Sequence, residues 1–334
     1  MVVSFDLTPL KPGDIPDPSS GEFQHFLDDH FAAGEKLIET MKKWNKHSQL
    51  FDSTVQILTL PSSSSYNETR KALNVKEFWC GRSSTHTTEN VRPQPNARGK
   101  SNSNSLGPAS IVRTLSERFS RKPVPEKDSV VLETSTEEPA EMNAVDRQAH
   151  VMATSPEGIY ERFRRGLLEY HSENEREYIE SCRETECLQI FQKNIAEVWR
   201  LTYVTPAPTN PRTFVILLLS REIRTEPAGE RAFMNISLPF EHPSCPPKQG
   251  GEKSRVRARY VSVEEVRESH AGGRVEWNMA TSSDAGGNIP RFITNTSLPS
   301  KIAEDVPSFI EWMVKRFPAG GNVASEKVKA TAHD

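Results

Sequence analysis

The chain has 334 residues, and its 42 Lys plus Arg against 45 Asp plus Glu give a formal net charge of −3, with no general attraction to phosphate backbones; nucleic acid is not an expected partner. A hydrophobic fraction of 35% and a mean hydropathy of −0.61 imply that a polar segment dilutes an ordinary globular core. Only part of the chain is therefore expected to fold.

Met1 to Pro18 has no basic start and no apolar core, which argues against a signal peptide, and Val2 excludes myristoylation; a cytoplasmic protein with a flexible N-terminus (1–18) is expected. The longest apolar run, Phe214 to Leu219, is far short of the roughly 20 residues of a membrane-spanning helix. Glycosylation-type triplets at Asn67, Asn235 and Asn295 carry no weight without secretion.

Ser19 or Ser20 is placed to cap a helix running to about Trp44, with Phe23, Phe26, Leu27, Phe31, Leu37, Met41 and Trp44 near helical spacing. Strand-like pieces follow at Thr54 to Leu60 and Val75 to Thr85. From about Thr87 to His150 Ser, Asn, Pro and charged residues dominate, and 87–150 is expected to be a disordered insertion, basic in its first half and acidic in its second.

Order resumes at Thr154-Ser155-Pro156-Glu157, where Ser155 fits an N-cap and Pro156 the first turn of a helix predicted to reach about Cys182. Five strand-like segments follow: Ile190 to Val204, Thr213 to Glu222, Ala232 to Phe240, Arg255 to Val266, and Arg274 to Ser283. Turn chemistry separates them, and connections this short predict an antiparallel meander.

Alternation assigns faces: Val275, Trp277, Met279 and Thr281 point one way, with Arg274, Glu276, Asn278 and Ala280 opposite. Val256, Ala258 and Tyr260 likewise oppose Arg255, Arg257 and Arg259. The cover for the apolar face is predicted at Leu298 to Phe317, where Ile302, Val306, Phe309, Ile310, Met313 and Phe317 recur at three- and four-residue steps. Pro299 and Glu304-Asp305 are expected in its early turns, Pro307 marks a kink or its true start, and 318–334 is read as a disordered tail.

Three stretches have a family look: Tyr170-His171-Ser172-Glu173-Asn174-Glu175-Arg176-Glu177-Tyr178, the pairing of Glu197-Val198-Trp199 with Pro211-Arg212-Thr213-Phe214-Val215, and Trp277 to Pro290 with its Asp-x-Gly-Gly turn followed by Ile289-Pro290. They resemble a fungal START-like family known as domain of unknown function 3074, over Phe23 to Arg82 and Ser155 to Phe317. The resemblance implies an α+β helix-grip fold, a curved antiparallel sheet wrapped around a long C-terminal helix. The folded domain would then comprise 19–86 and 151–317. It also implies a hydrophobic cavity for a lipid or other hydrophobic small molecule, and carries over no catalytic residue.

No G-x-S-x-G elbow, phosphate-binding G-x-x-x-x-G-K or H-E-x-x-H helix is present. Cys80, Cys182, Cys187 and Cys245 make no C-x-x-C pair, so neither metal nor disulfide framework is expected, and no cofactor. Gly272 and Gly286 are read as turn glycines, His171 as a surface or capping residue, and Asp284 as a partner for amides of the Ala285 to Asn288 turn.

The expected ligand-contacting residues are Trp199, Tyr203, Arg212, Met234, Ile236, Tyr260, Trp277, Met279, Ile302, Val306, Phe309 and Met313, with Arg212 either anchoring a head group or pairing with a carboxylate. At about 0.8 kcal/mol per buried methylene, a ten-carbon tail contributes roughly 8 kcal/mol before association costs, so a cavity of roughly 300 to 1,000 Å³ suffices. Ligand binding, with transfer between membranes and brief contact with their surfaces, is the leading reading. A cyclase- or hydrolase-type enzyme in the same cavity and an adaptor acting through 87–150, where Arg113-Thr114-Leu115-Ser116 offers a kinase-site pattern, stay open.

Overall fold

The computed structural model describes residues 3–52, 54–62, 70–71, 75, 77–88, 91, 158–204, 209–224, 230–246, 256–269 and 273–317. Residues 1–93 and 154–334 make one compact unit; the second, 94–153, lies outside the described residues, as do most of the expected insertion and the tail.

Helix α1 (Gly21–Thr40) begins where Ser20 Oγ accepts the Phe23 N–H at 3.2 Å, so one of the predicted caps is the one used. Strands β1 (Asn45–Leu50), β2 (Val55–Thr59) and β3 (Cys80–Thr87) follow, and Val91 beyond the last is buried. After the insertion, α2 (Ile159–Phe163) runs into a π-helical turn, Arg164–Leu168, and α3 (His171–Tyr178) follows a break at Tyr170, whose φ is 52°.

Then come β4 (Cys182–Gln192), β5 (Ala196–Tyr203), β6 (Arg212–Arg224), β7 (Arg231–Pro239), β8 (Val256–Arg257), β9 (Arg259–Glu268), β10 (Arg274–Asp284) and the closing helix α4 (Arg291–Arg316). The curved sheet has the order β1-β2-β3-β10-β9-β7-β6-β5-β4, antiparallel throughout, with β8 paired in parallel to β6. It is a helix-grip fold: α4 packs on β2, β3 and β10 of one face, and α1 packs on β7, β9 and β10.

Both faces of the sheet are therefore covered. Toward α1 point Val198, Val215, Leu217, Leu219, Met234, Ile236, Val261 and Val263, meeting Phe23, Phe26, Leu27, Phe31 and Leu37. Each such side chain contributes roughly 1.5–3 kcal/mol. Toward α4 point Val55, Ile57, Phe233, Val266, Val275 and Trp277, meeting Phe163, Val306, Phe309 and Met313.

Several expectations are revised. Residues 3–15 pack rather than dangle: Phe5 and Leu7 are buried, and Leu10 N–H donates to the Pro239 carbonyl at 2.8 Å. The single long strand expected at Ile190 to Val204 is the hairpin β4–β5, turning at Asn194 with φ 61°; β4 is an edge strand with little apolar alternation, so its sequence signal is weak.

The predicted helix through Cys182 is interrupted because the π-turn aims its carbonyls at side chains: Leu167 O accepts from Asn235 Nδ2 at 2.8 Å, and Gly166 O from Asn174 Nδ2 at 3.0 Å. The closing helix starts at Arg291, about two turns before Leu298, and holds both Pro299 and Pro307 internally. Its first turns carry only Thr294 as a buried residue before Pro299, so no apolar period announces them.

Candidate functional site

Between the sheet and the first half of α4 lies a hollow of about 790 Å³. Its α4 wall is Thr294, Leu298, Ile302 and Asp305, which recur on one helical face; its sheet wall is drawn from Arg82, Asn235, Ser237, Tyr260, Ser262, Glu264, Met279 and Thr281. Tyr203, Phe214 and Arg212 close it on the side of β5 and β6, and His171, Glu175 and Tyr178 come from α3.

Of the sequence-predicted contact residues, Tyr203, Arg212, Tyr260, Met279 and Ile302 line this hollow. Trp199 shares their sheet face but is buried with Leu201, Ile216 and Leu218, its indole N–H donating to Glu197 at 3.0 Å. Trp277, Val306, Phe309 and Met313 lie under the second half of α4 in closed aromatic packing: Phe309 stands 5.1 Å from Trp277, 5.2 Å from Phe163 and 5.3 Å from Tyr178, between ring centres. Met234 and Ile236 point to the opposite face, against α1; the strand parity places Asn235 and Ser237 in the hollow instead.

One end of the hollow carries polar and charged side chains beside its apolar wall. Arg82, only 2% exposed, donates from Nη2 to Glu264 Oε1 at 3.1 Å, and Trp277 Nε1 donates to the same oxygen at 2.8 Å. Arg82 Nε and Nη1 have no hydrogen-bond partner among the described residues. Tyr203 donates its hydroxyl to Glu175, whose carboxyl is held above the usual range by burial and, further, by Glu264.

Asp305 lines the hollow, and its carboxyl makes no hydrogen bond or ion pair to any described residue. It keeps some accessible surface toward that space, yet lies deep enough that desolvation pushes its carboxyl up to about 7; Arg82 opposes the rise, and Glu175, Glu264 and Glu304 add to it. Burial raises the Tyr178, Tyr203 and Tyr260 hydroxyls well above their ordinary range, so all three stay neutral donors. The clue to this group in the sequence is the polar set alternating with apolar residues in β7 and β9.

Other candidates make local hydrogen bonds within the fold. Asp284 Oδ1 accepts the Gly286 N–H at 2.9 Å, as expected, and Oδ2 lies 3.3 Å from Arg291. Gly286, with φ 63°, has no room for a side chain, since a Cβ would meet the Arg257 carbonyl oxygen at 2.3 Å. Arg212 donates to the carbonyls of Asn210 and Ala285 rather than to a carboxylate. His171 Nδ1 lies 2.7 Å from Leu167 O, a local bond at the head of α3.

All four cysteines are free, and burial pushes the Cys80 and Cys182 thiols up to about 12. Among the described residues no group of His, Cys, Asp and Glu is arranged to hold a metal, and no helix is long and apolar enough to cross a membrane.

The mouth differs from the interior. Phe292, Ile293 and Val204 are 69%, 46% and 44% exposed, and Ile293 and Val204 belong to the wall of the hollow.

The family described as "Protein of unknown function (DUF3074)" matches residues 145–313. No curated protein matches the chain. Among solved structures, human STARD10 shares 12% identity with a TM-score of 0.48, covering 86% of this chain and 79% of its own. Human StAR-related lipid transfer protein 5 shares 14% at 0.47, covering 88% and 99%. A STAR-related lipid transfer protein from Xanthomonas axonopodis shares 10% at 0.41, covering 81% and 98%.

Proposed function

The chain belongs to the DUF3074 family, and from the hollow between its sheet and closing helix we propose that it binds a lipid or other hydrophobic small molecule there and carries it between membranes. The observation that carries this reading is the space of about 790 Å³ that the closing helix and sheet leave unfilled. That volume suits a lipid-sized guest. Phe214, Met279, Ile289, Leu298 and Ile302 offer apolar wall for a tail, at about 0.8 kcal/mol per methylene. Tyr203, Arg212, Tyr260, Met279 and Ile302 are its proposed contact residues among those expected.

Release and uptake fit a mouth with Phe292, Ile293 and Val204 exposed, flanked by Arg291 and Lys301, whose side chains are 62% and 71% exposed. Such a rim can touch a membrane surface briefly while α4 shifts. The test is solvent extraction of the purified protein followed by mass spectrometry, with uptake from vesicles as the second arm. A stoichiometric hydrophobic molecule is expected; an empty protein that takes nothing from vesicles ends the proposal.

An acid–base enzyme has one observation on its side, the Asp305 carboxyl near 7 facing the hollow beside Glu175. Incubating the protein with its own extracted ligand separates the two readings. Ligand returned unchanged supports carriage, and conversion abolished by Asp305→Asn supports catalysis. The adaptor reading rests on residues 87–150, of which only 87, 88 and 91 are described.

A further inference from the structure

Arg212, the first residue of β6, is 5% exposed and lines the hollow, yet its guanidinium meets no acid among the described residues. Nε donates to the Ala285 carbonyl at 3.3 Å and Nη1 to the Asn210 carbonyl, which orient the group without neutralising it, and Nη2 donates to no described residue. Burial lowers its pKa and no carboxylate opposes the shift, whereas Arg164, Arg231 and Arg267 are each raised by neighbouring carboxylates. A buried guanidinium held in one plane and left with an uncommitted nitrogen is suited to a carboxylate or phosphate oxygen.

The start of α4 has the same sign. Ile289, Ile293 and Thr294 bring it to the wall of the hollow, and it carries no side-chain cap and no acid in its first turn. The positive end of its peptide dipoles is therefore not offset by an acid of its own. Asp284, in the loop before it, is committed to the Gly286 N–H and to Arg291. The Thr294 hydroxyl, buried on the α4 wall, has no hydrogen-bond partner among the described residues.

The other charges on the wall cancel or are suppressed. Arg82 pairs with Glu264 at 3.1 Å and Lys301 with Glu304 at 2.8 Å. Burial holds the Glu175 carboxyl toward its protonated form and pushes that of Asp305 up to about 7, so neither is a full negative charge near neutrality. Arg183 and Glu180, both exposed, are opposite in sign. His171 presents Nδ1–H to the Leu167 carbonyl and brings no negative charge in either form. What is left over is the positive charge of Arg212, and the unpartnered Arg82 Nε and Nη1 are likewise donors, not acceptors.

Resting on the ligand-binding reading above, we infer that Arg212 anchors the head group, and that the guest is an amphiphile with an acidic head, a carboxylate or a phosphate ester, whose tail runs along Met279, Leu298 and Ile302. An acidic head supplies an acceptor to Nη2 and a negative charge to a buried cation that lacks one. An alkanol supplies the acceptor without the charge, and an ammonium supplies neither. Tyr203, the register partner of Arg212, packs its ring 5.5 Å from that of Phe214, which lies 5.2 Å from that of Tyr260. These rings wall the hollow with low-dielectric surface, so a charge pair formed there is weakly screened.

The experiment is calorimetric titration of the full chain at neutral pH with four probes sharing a ten-carbon tail: decanoate, decyl phosphate, decanol and decylammonium, each below its micelle concentration. The tighter of the two anions is expected to bind at least about tenfold more tightly than the alkanol or the ammonium. Decanoate ahead of decyl phosphate assigns a carboxylate head, and the reverse order a phosphate ester. In Arg212→Gln the ratio of anion to alkanol affinity is expected to fall by about tenfold, and in Arg212→Lys, which keeps the charge, by no more than about threefold. A residue that only shaped the wall would weaken all four probes alike. The ranking in the unaltered chain remains a test if Arg212→Gln does not fold.

An alkanol or ammonium bound as tightly as both anions, or an anion preference that survives Arg212→Gln, overturns the inference while leaving ligand binding intact. Four probes that all fail to bind overturn the ligand-binding reading itself.

Discussion

The guanidinium carbon of Arg82 sits 3.9 Å from the centre of the Trp277 ring, and both side chains donate to one oxygen of Glu264. Because Arg82 and Glu264 are 2% and 7% exposed, neither can turn to bulk water if the other is removed. Arg82→Met is therefore expected to cost about 3–5 kcal/mol in denaturant unfolding, chiefly by stranding the carboxylate. Arg82→Met with Glu264→Gln should recover a substantial part of that loss. A double variant no more stable than the single one would show that the cost lies in the stacking on Trp277.

Gly166 in the π-turn lies so close to the closing helix that a Cβ there would meet Phe309 Cε2 at 2.6 Å and Cζ at 2.8 Å. Phe309 is fully buried and ringed by Phe163, Tyr178, Trp277 and Trp312, so it has nowhere to retreat. Gly166→Ala is expected to destabilise by about 1–3 kcal/mol. Gly158→Ala, with open space around its Cα, serves as the comparison and should change stability little. Equal unfolding midpoints for the two would mean that α4 yields where the packing says it cannot.

The contrast between β10 and β7 shows which parts of this fold were readable beforehand. In β10 the apolar set Val275, Trp277 and Met279 opposes Glu276 and Asn278, so alternation assigned both faces correctly. In β7 every residue from Ala232 to Pro239 is buried, because α1 covers one face and the hollow the other. The greasier face, Met234, Ile236 and Leu238, is the packed core, and Asn235 and Ser237 line the hollow. A rule equating apolar with cavity-facing fails in such a strand, since a core must be filled while a cavity need only be lined. Asp305 was missed for a related reason: an acid beside Glu304 in a helix reads as solvated until the fold shows that it points inward.

Asp305 also gives the protein a pH signature. Its carboxyl titrates near 7 in the folded chain against an ordinary value of 3.8, so the folded state holds the proton more tightly than the unfolded state. Below about pH 4 both states are protonated and the group contributes nothing; between about 4 and 7 the unfolded chain alone releases the proton, and stability falls as pH rises. Above that window the destabilisation is constant. Asp305→Asn should flatten this slope and raise the thermal midpoint near pH 8 by roughly 2–8 °C, corresponding to about 1–2 kcal/mol. Glu175, whose carboxyl is also raised, titrates in both proteins, so the difference between them isolates Asp305. Parallel stability curves for the two would place Asp305 in contact with water.

Transfer, as distinct from binding, is expected to depend on Phe292. This side chain is 69% exposed in the first turn of α4, next to Ile293 at the mouth, yet is not part of the wall of the hollow. Burying one phenylalanine in a membrane surface contributes roughly 1.5–3 kcal/mol, so Phe292→Ser should weaken vesicle association by at least about tenfold and slow intervesicle transfer accordingly. Phe51→Ser is the matched comparison: Phe51 is 42% exposed, but it sits at the turn between β1 and β2 and does not line the mouth. Vesicle cosedimentation and transfer of a fluorescent lipid between donor and acceptor vesicles measure the two effects. Identical rates for the two variants and the unaltered protein would remove the mouth of the hollow as the membrane-facing surface, and with it the mechanical link between the closing helix and delivery.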